Sequence, residues 1–175
     1  MSPEEDTFHA RDSRPPARER SNTRDVANLG LVRPPLIYLA AILVGVGLDL
    51  VWPLRRLPAG TAVWVGVPLV ILSLALFVAA IRQLKKARTP VRGNKPTTAI
   101  VQSGPYRFSR NPIYLAFSLL VLGIACWVNS VWLLGTLILA VLLMSMVVIP
   151  REERYLARRF NPEYLQYRAK VRRWL

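Results

Sequence analysis

Two short clusters hold most of the residues in this chain that could do chemistry. Gly104-Pro105-Tyr106 leads into Arg110-Asn111-Pro112-Ile113-Tyr114, and about 40 residues later comes Arg151-Glu152-Glu153-Arg154-Tyr155-Leu156. The first cluster sets an arginine beside the start of an apolar helix, where free backbone N–H groups and the helix dipole favour an anionic group. The second sets adjacent carboxylates at the end of an apolar run. Acids suit the first turn of a helix beginning after Pro150, which accounts for one of them. Local helix ion pairs account for neither, because the residues three and four positions away are Tyr155, Leu156, Ala157, Pro150, Ile149 and Val148. Two carboxylates at a membrane boundary without local partners are costly, and this points to use. The Asn-Pro start recurs as Asn161-Pro162-Glu163-Tyr164-Leu165, where Asn as cap and Pro in the first helical turn suffice as a reason.

The elements that must position these clusters are apolar helices. Four runs read as membrane spans, at roughly 36–54, 61–81, 112–128 and 131–149. Only Asn129-Ser130 separates the last two, which predicts a tight helical hairpin. Trp52, Trp64, Trp127 and Trp132 fall near span ends, as interfacial aromatics do. Gly45-Val46-Gly47 lies within the first run and reads as helix packing. Asp49, the only acid inside a run, reads as an interfacial ion pair with Arg55 or Arg56. Lys and Arg are divided 22 against 2 across the membrane, which predicts multiple passes with both termini cytoplasmic.

Flanking segments are read from composition. Residues 1–33 are rich in Arg, Glu, Ser and Pro and predict a disordered cytoplasmic tail; residues 34–175 form the membrane domain. The connection 82–111 contains no Asp or Glu, and its second half, from Thr97, predicts an ordered, β-leaning apolar patch against the membrane face. Beyond Pro150 a helix is expected to leave the membrane. Tyr164, Tyr167, Val171 and Trp174 then recur at helical spacing, predicting an interfacial amphipathic helix. The fold class is therefore an all-α integral membrane protein, with about four transmembrane helices and a C-terminal interfacial helical segment.

Composition narrows the chemistry. The chain has 175 residues, 53% hydrophobic, with a mean hydropathy of +0.29. A net charge of +14 would suggest nucleic acid in a soluble protein. Here it is read as orientation of the spans and contact with anionic membrane lipid, with no nucleic-acid partner. The single cysteine, Cys126, excludes an intramolecular disulfide and a thiol metal cluster, and the single histidine, His9, lies in the polar tail. No metal site is expected. No Walker loop or Gly-x-Gly-x-x-Gly run is present.

From about Thr97 to Leu175 the chain resembles the C-terminal catalytic half of isoprenylcysteine carboxyl methyltransferases and phospholipid N-methyltransferases. The shared pattern is Gly-Pro-Tyr, Arg-His/Asn-Pro-x-Tyr, a membrane hairpin, Glu-Glu-x-x-Leu and a Phe-Gly-x-x-Tyr-x-x-Tyr tail. Here it reads Gly104-Pro105-Tyr106, Arg110-Asn111-Pro112-Ile113-Tyr114, Glu152-Glu153-Arg154-Tyr155-Leu156 and Phe160-Asn161-Pro162-Glu163-Tyr164-Leu165-Gln166-Tyr167. The resemblance implies methyl transfer from S-adenosylmethionine to a lipophilic small-molecule or lipid acceptor, at a carboxyl or an amine. It implies cofactor contacts from Gln102, Ser103, Gly104, Tyr106, Arg110, Asn111, Pro112, Tyr114 and Glu152. Aromatic faces suit the sulfonium, an arginine or a helix N-terminus its carboxylate, and a glutamate its amine or ribose hydroxyls.

Two departures bear on the acceptor. The family's frequent His is Asn111, which still supplies a donor and an acceptor. The isoprenylcysteine enzymes carry an Arg five residues before the catalytic Glu; that Glu matches Glu153, and the Arg position is Val148. Either Arg151 or Arg154 replaces the missing cation, or the acceptor is an amine, hydroxyl or thiol with Glu153 as base. Two other classes fit parts of the pattern. One is an NADPH-dependent steroid or enoyl reductase, in which the basic 82–95 segment meets the 2′-phosphate. The other is a non-catalytic membrane scaffold.

Overall fold

The computed structural model describes residues 33–54, 59–89 and 97–175. The tail 1–32, Arg55 and Arg56, and the basic residues Arg92 and Lys95 lie outside the described residues. All regular structure among the described residues is helical. In order it comprises α1 (Pro34–Val51), α2 (Ala59–Lys86), a 3₁₀ turn (Gly104–Arg107), α3 (Pro112–Trp127), α4 (Val131–Leu143), a π segment (Met144–Val148), α5 (Ile149–Arg159) and α6 (Glu163–Lys170).

Three stretches are long and apolar enough to cross a membrane: Pro34–Val51, Ala62–Lys86 and Val131–Arg159. The fourth apolar helix, Pro112–Trp127, has 16 residues and spans about 24 Å at 1.5 Å per residue. Apolar side chains point outward along these helices. Leu43, Ile71, Leu139 and Met146 are each more than half exposed. Such a surface belongs in lipid, with every backbone polar group satisfied inside a helix.

The helices pack in two close pairs, α2 along α3 and α1 along α4, with α3 and α4 joined as the expected hairpin. Glycine sets both approaches. A Cβ on Gly45 would lie 2.7 Å from Leu133 Cδ2, and one on Gly123 would lie 2.8 Å from Val70 Cγ2. Gly47, the other half of the Gly45 pattern, faces open space. Hydrogen bonds add to this packing: Ser73 Oγ donates to Ala116 O at 2.9 Å between α2 and α3, and Tyr38 Oη donates to Tyr114 O at 3.2 Å between α1 and α3. The turn between α3 and α4 places Asn129 at φ 55°, and Ser130 Oγ caps α4 by accepting from Leu133 N.

Helix boundaries differ from the sequence reading in three places. α2 continues to Lys86, because Leu84 is buried and Lys85 and Lys86 complement the C-terminal dipole. The span beginning at Val131 does not end at Ile149. The chain stays helical to Arg159, and the π segment just before Pro150 widens the turn so that the proline ring fits. α6 stops at Lys170 rather than reaching Trp174, and Val171 is extended. The patch from Thr97, expected against the membrane face, packs on α2 instead, with Val101 and Tyr106 on Ala80 and Leu84, and as irregular chain. The C-terminal tyrosines face inward rather than toward a bilayer. Tyr164 and Tyr167 are buried with Leu156.

Candidate active site

Four element ends converge at one end of the bundle. The N-terminus of α1, the C-terminal part of α2, the 3₁₀ turn and the N-terminus of α3 enclose a cavity of about 150 Å³. Its polar wall is Tyr106, Arg110, Asn111 and Tyr114; its apolar wall includes Phe77, Leu84, Ile113 and Phe117. The turn that delivers Tyr106 depends on Gly104, which sits at φ +59°, where a side chain is strained and a Cβ would meet Gln83 at 2.8 Å. Ser103 Oγ donates to Gln83 Oε1 at 2.9 Å, and Tyr167 Oη donates to Tyr106 O at 2.7 Å. The turn is thereby held to both α2 and α6.

The two carboxylates find their partners through the tertiary fold. Tyr114 Oη donates to Glu152 Oε1 at 2.6 Å, a short charge-assisted bond between buried residues. Glu153 is also buried, and Arg110 Nη1 lies 3.0 Å from its Oε1. A second guanidinium completes the group. Arg173 Nε donates to Glu153 Oε1 at 3.1 Å and Arg173 Nη2 to Oε2 at 2.8 Å, a two-pronged pair. That bond and the glutamate's charge hold the Arg173 guanidinium above its ordinary pKa, against the opposing effect of burial. Arg110 Nε is buried and has no hydrogen-bond partner.

Of the residues expected to contact the cofactor, the structure brings together five that line the cavity: Tyr106, Arg110, Asn111, Pro112 and Tyr114. Glu152 and Glu153 stand one side chain behind that wall, attached through Tyr114 and Arg110. Gln102 and Ser103 are exposed beside the 3₁₀ turn, and Gly104 shapes it. Arg151 and Arg154 are exposed, whereas their neighbours Glu152 and Glu153 are buried. Arg154 Nε donates to Pro150 O at 3.3 Å. Val148 packs in the main core with Tyr114 and Ile149. Asn111 does not cap α3 with its side chain. Its Nδ2 donates to Arg173 O at 3.1 Å, and Asn161 likewise does not cap α6.

Arg173 was not legible as a site residue. In sequence it is one of eight basic residues after Pro150. No spacing rule links it to a carboxylate 20 positions earlier.

The family model for phospholipid methyltransferases matches residues 61–163. That stretch covers nearly all of α2, the 3₁₀ turn, α3, α4 and both carboxylates. The chain belongs to the phospholipid methyltransferase family. Among its relatives is the cobalt-zinc-cadmium resistance protein CzcN of Cupriavidus metallidurans, 39% identical over 77 residues, 44% of this chain and 35% of that protein. An uncharacterized protein of Haemophilus influenzae is 42% identical over 64 residues, 36% of this chain and 100% of its own length. The chain thus aligns with only about a third of CzcN. No solved structure matches.

Proposed function

We propose that this membrane methyltransferase takes its methyl group from S-adenosylmethionine and delivers it to a lipophilic acceptor in the cavity between α2 and α3. The observation that carries this reading is the cavity's division into a polar wall of Tyr106, Arg110, Asn111 and Tyr114 and an apolar wall of Phe77, Leu84, Ile113 and Phe117. Binding sites for whole small molecules commonly occupy ~300–1,000 Å³. A cavity of about 150 Å³ therefore holds only the reacting end of the pair, with the rest lying along the bundle or toward the surface.

The donor set fits the cofactor. Arg110 suits its carboxylate, and the partnerless, buried Nε leaves that guanidinium with an unused donor. The rings of Tyr106 and Tyr114 offer negative faces to a sulfonium. When bound, S-adenosylmethionine supplies a methyl carbon activated by positive sulfur. Glu152 fixes the Tyr114 ring by accepting its hydroxyl, and Glu153 fixes Arg110 by ion pairing. The apolar wall excludes water and orients the acceptor, which is most of what methyl transfer requires.

Both oxygens of Glu153 are engaged by guanidinium donors. We therefore assign Glu153 the orientation of Arg110. To remove a proton from the acceptor it would first have to release a partner. Neither Arg151 nor Arg154 lines the cavity, so the contact with an anionic group falls to Arg110.

Calorimetry of S-adenosylmethionine and S-adenosylhomocysteine binding to the protein in nanodiscs tests this reading, with NADPH as the comparison. Micromolar binding of either sulfur ligand, lost in Arg110→Gln and Tyr114→Ala, is expected. NADPH binding in their place would assign the cavity to a reductase. Binding of none of the three by folded protein would leave a scaffold.

A further inference from the structure

We propose that Arg173 is a positioning residue of the methyl-transfer site, acting through Glu153 on Arg110. The inference rests on the reading of the cavity given above.

The five residues after α6 run back across the N-terminus of α3. The Arg172 carbonyl accepts from Arg110 N at 3.0 Å. The Arg173 carbonyl accepts from Asn111 Nδ2 at 3.1 Å and from Ser109 Oγ at 3.3 Å. Three consecutive residues, two of them in the polar wall, are thus bound to two consecutive carbonyls of one short segment. Trp174 fastens its far end: the indole Nε1 donates to Ser145 Oγ at 3.2 Å, and the ring packs on the main core. Ser145 lies in the π segment, about two turns before the carboxylates.

The Arg173 side chain then does something the backbone clasp does not. Its fork takes both oxygens of Glu153, and Nη1 donates to Ser145 O at 3.4 Å. Arg110 approaches the same Oε1 from the cavity side. A carboxylate gripped on both oxygens has one orientation, so Arg110 meets a fixed counter-charge. With only Arg110 attached, the carboxylate could turn about its terminal bonds, and the guanidinium would follow it. A fork also differs from a point charge, so lysine is not an equivalent replacement.

The assay is S-adenosylhomocysteine binding by calorimetry to the full chain in nanodiscs, with thermal unfolding measured for each variant. Arg173→Gln is expected to weaken binding ~10–100-fold, the range for losing hydrogen bonds to a charged group. Arg173→Lys is expected to fall between wild type and Arg173→Gln. The deciding readout is the double variant. If Arg173 acts through Glu153, then adding Arg173→Gln to Glu153→Gln changes affinity less than about threefold.

Wild-type affinity in Arg173→Gln overturns the proposal while leaving the cofactor reading intact. Losses that multiply in the double variant overturn it in favour of a purely structural clasp. If wild-type protein binds no sulfur ligand, the cofactor reading fails and this inference fails with it. Should Arg173→Gln not fold, Arg173→Lys decides: wild-type affinity there rules out a requirement for the fork, and intermediate affinity supports it.

Discussion

At the scale of single residues, the candidate site holds two buried carboxylates that take different partners. Glu152 accepts a phenol and Glu153 two guanidiniums, although the two are adjacent in sequence. Tyr114→Phe removes the 2.6 Å bond while keeping the ring in the cavity wall. A hydrogen bond to a charged group is worth about 1.5–3 kcal/mol. Thermal unfolding in detergent should register a loss of that order, and S-adenosylhomocysteine should bind more weakly because the ring is no longer held. Arg110→Lys keeps the charge but not the planar fork. We expect calorimetry to show at least tenfold weaker binding, with the melting temperature little changed. The sequence singled out both glutamates as acids without local partners in an apolar setting, Arg110 by its place at the start of an apolar helix, and Tyr114 through the family resemblance. It could not say which glutamate met which partner, since Tyr114 and Glu152 are 38 residues apart.

At the scale of elements, the site is positioned by close helix approaches that leave no room for a side chain. Without a hydrophobic drive between helices in lipid, small residues and interhelical hydrogen bonds carry the association. Gly45 and Gly47 separate packing from mere composition. Gly45→Val should force α1 away from Leu133 and Thr136 and cost about 1–3 kcal/mol, as overpacking does. Gly47→Ala meets nothing within 4 Å. It should be neutral or stabilising by roughly 0.5–1 kcal/mol through helix propensity. Thermal melts of the two variants side by side test the contrast. Apolar run length located all four helices of the bundle in the sequence. Their ends were less legible, because Pro150 reads locally as a stop. The π segment and the continuing tertiary contacts make it an interior residue instead.

At the scale of the whole molecule, the two ends of the bundle differ. Trp52 and Trp132 meet at one end, where Trp132 Nε1 donates to Trp52 O at 2.7 Å. The cavity, the carboxylates and the C-terminal clasp lie at the other. Arg110 and Arg173 meet Glu153 at the cavity end. We propose that this end is cytoplasmic, where a water-soluble cofactor is available, and that the hydrocarbon of the acceptor arrives from the bilayer side. A cysteine at Arg168, in a Cys126→Ser background, should resist a membrane-impermeant maleimide in intact cells. It should react in inverted vesicles. Labelling in intact cells would reverse the orientation.

Sequence alone determined that this chain is helical and apolar, roughly where its helices lie, and that two adjacent carboxylates end an apolar run without local partners. Those properties are local: run length, composition and the absence of i±3 and i±4 partners are all read along the chain. Tertiary structure alone decided which helices pair, how wide the cavity is and what holds the carboxylates. Arg173 shows why. It follows Lys170 and Arg172 in a basic run and its spacing is unremarkable for a helix, yet the chain turns back after Lys170, where Ser109, Arg110 and Asn111 donate to the Arg172 and Arg173 carbonyls. A contact made between residues far apart along the chain depends on the path between them, and that path is set by the packing of the whole bundle.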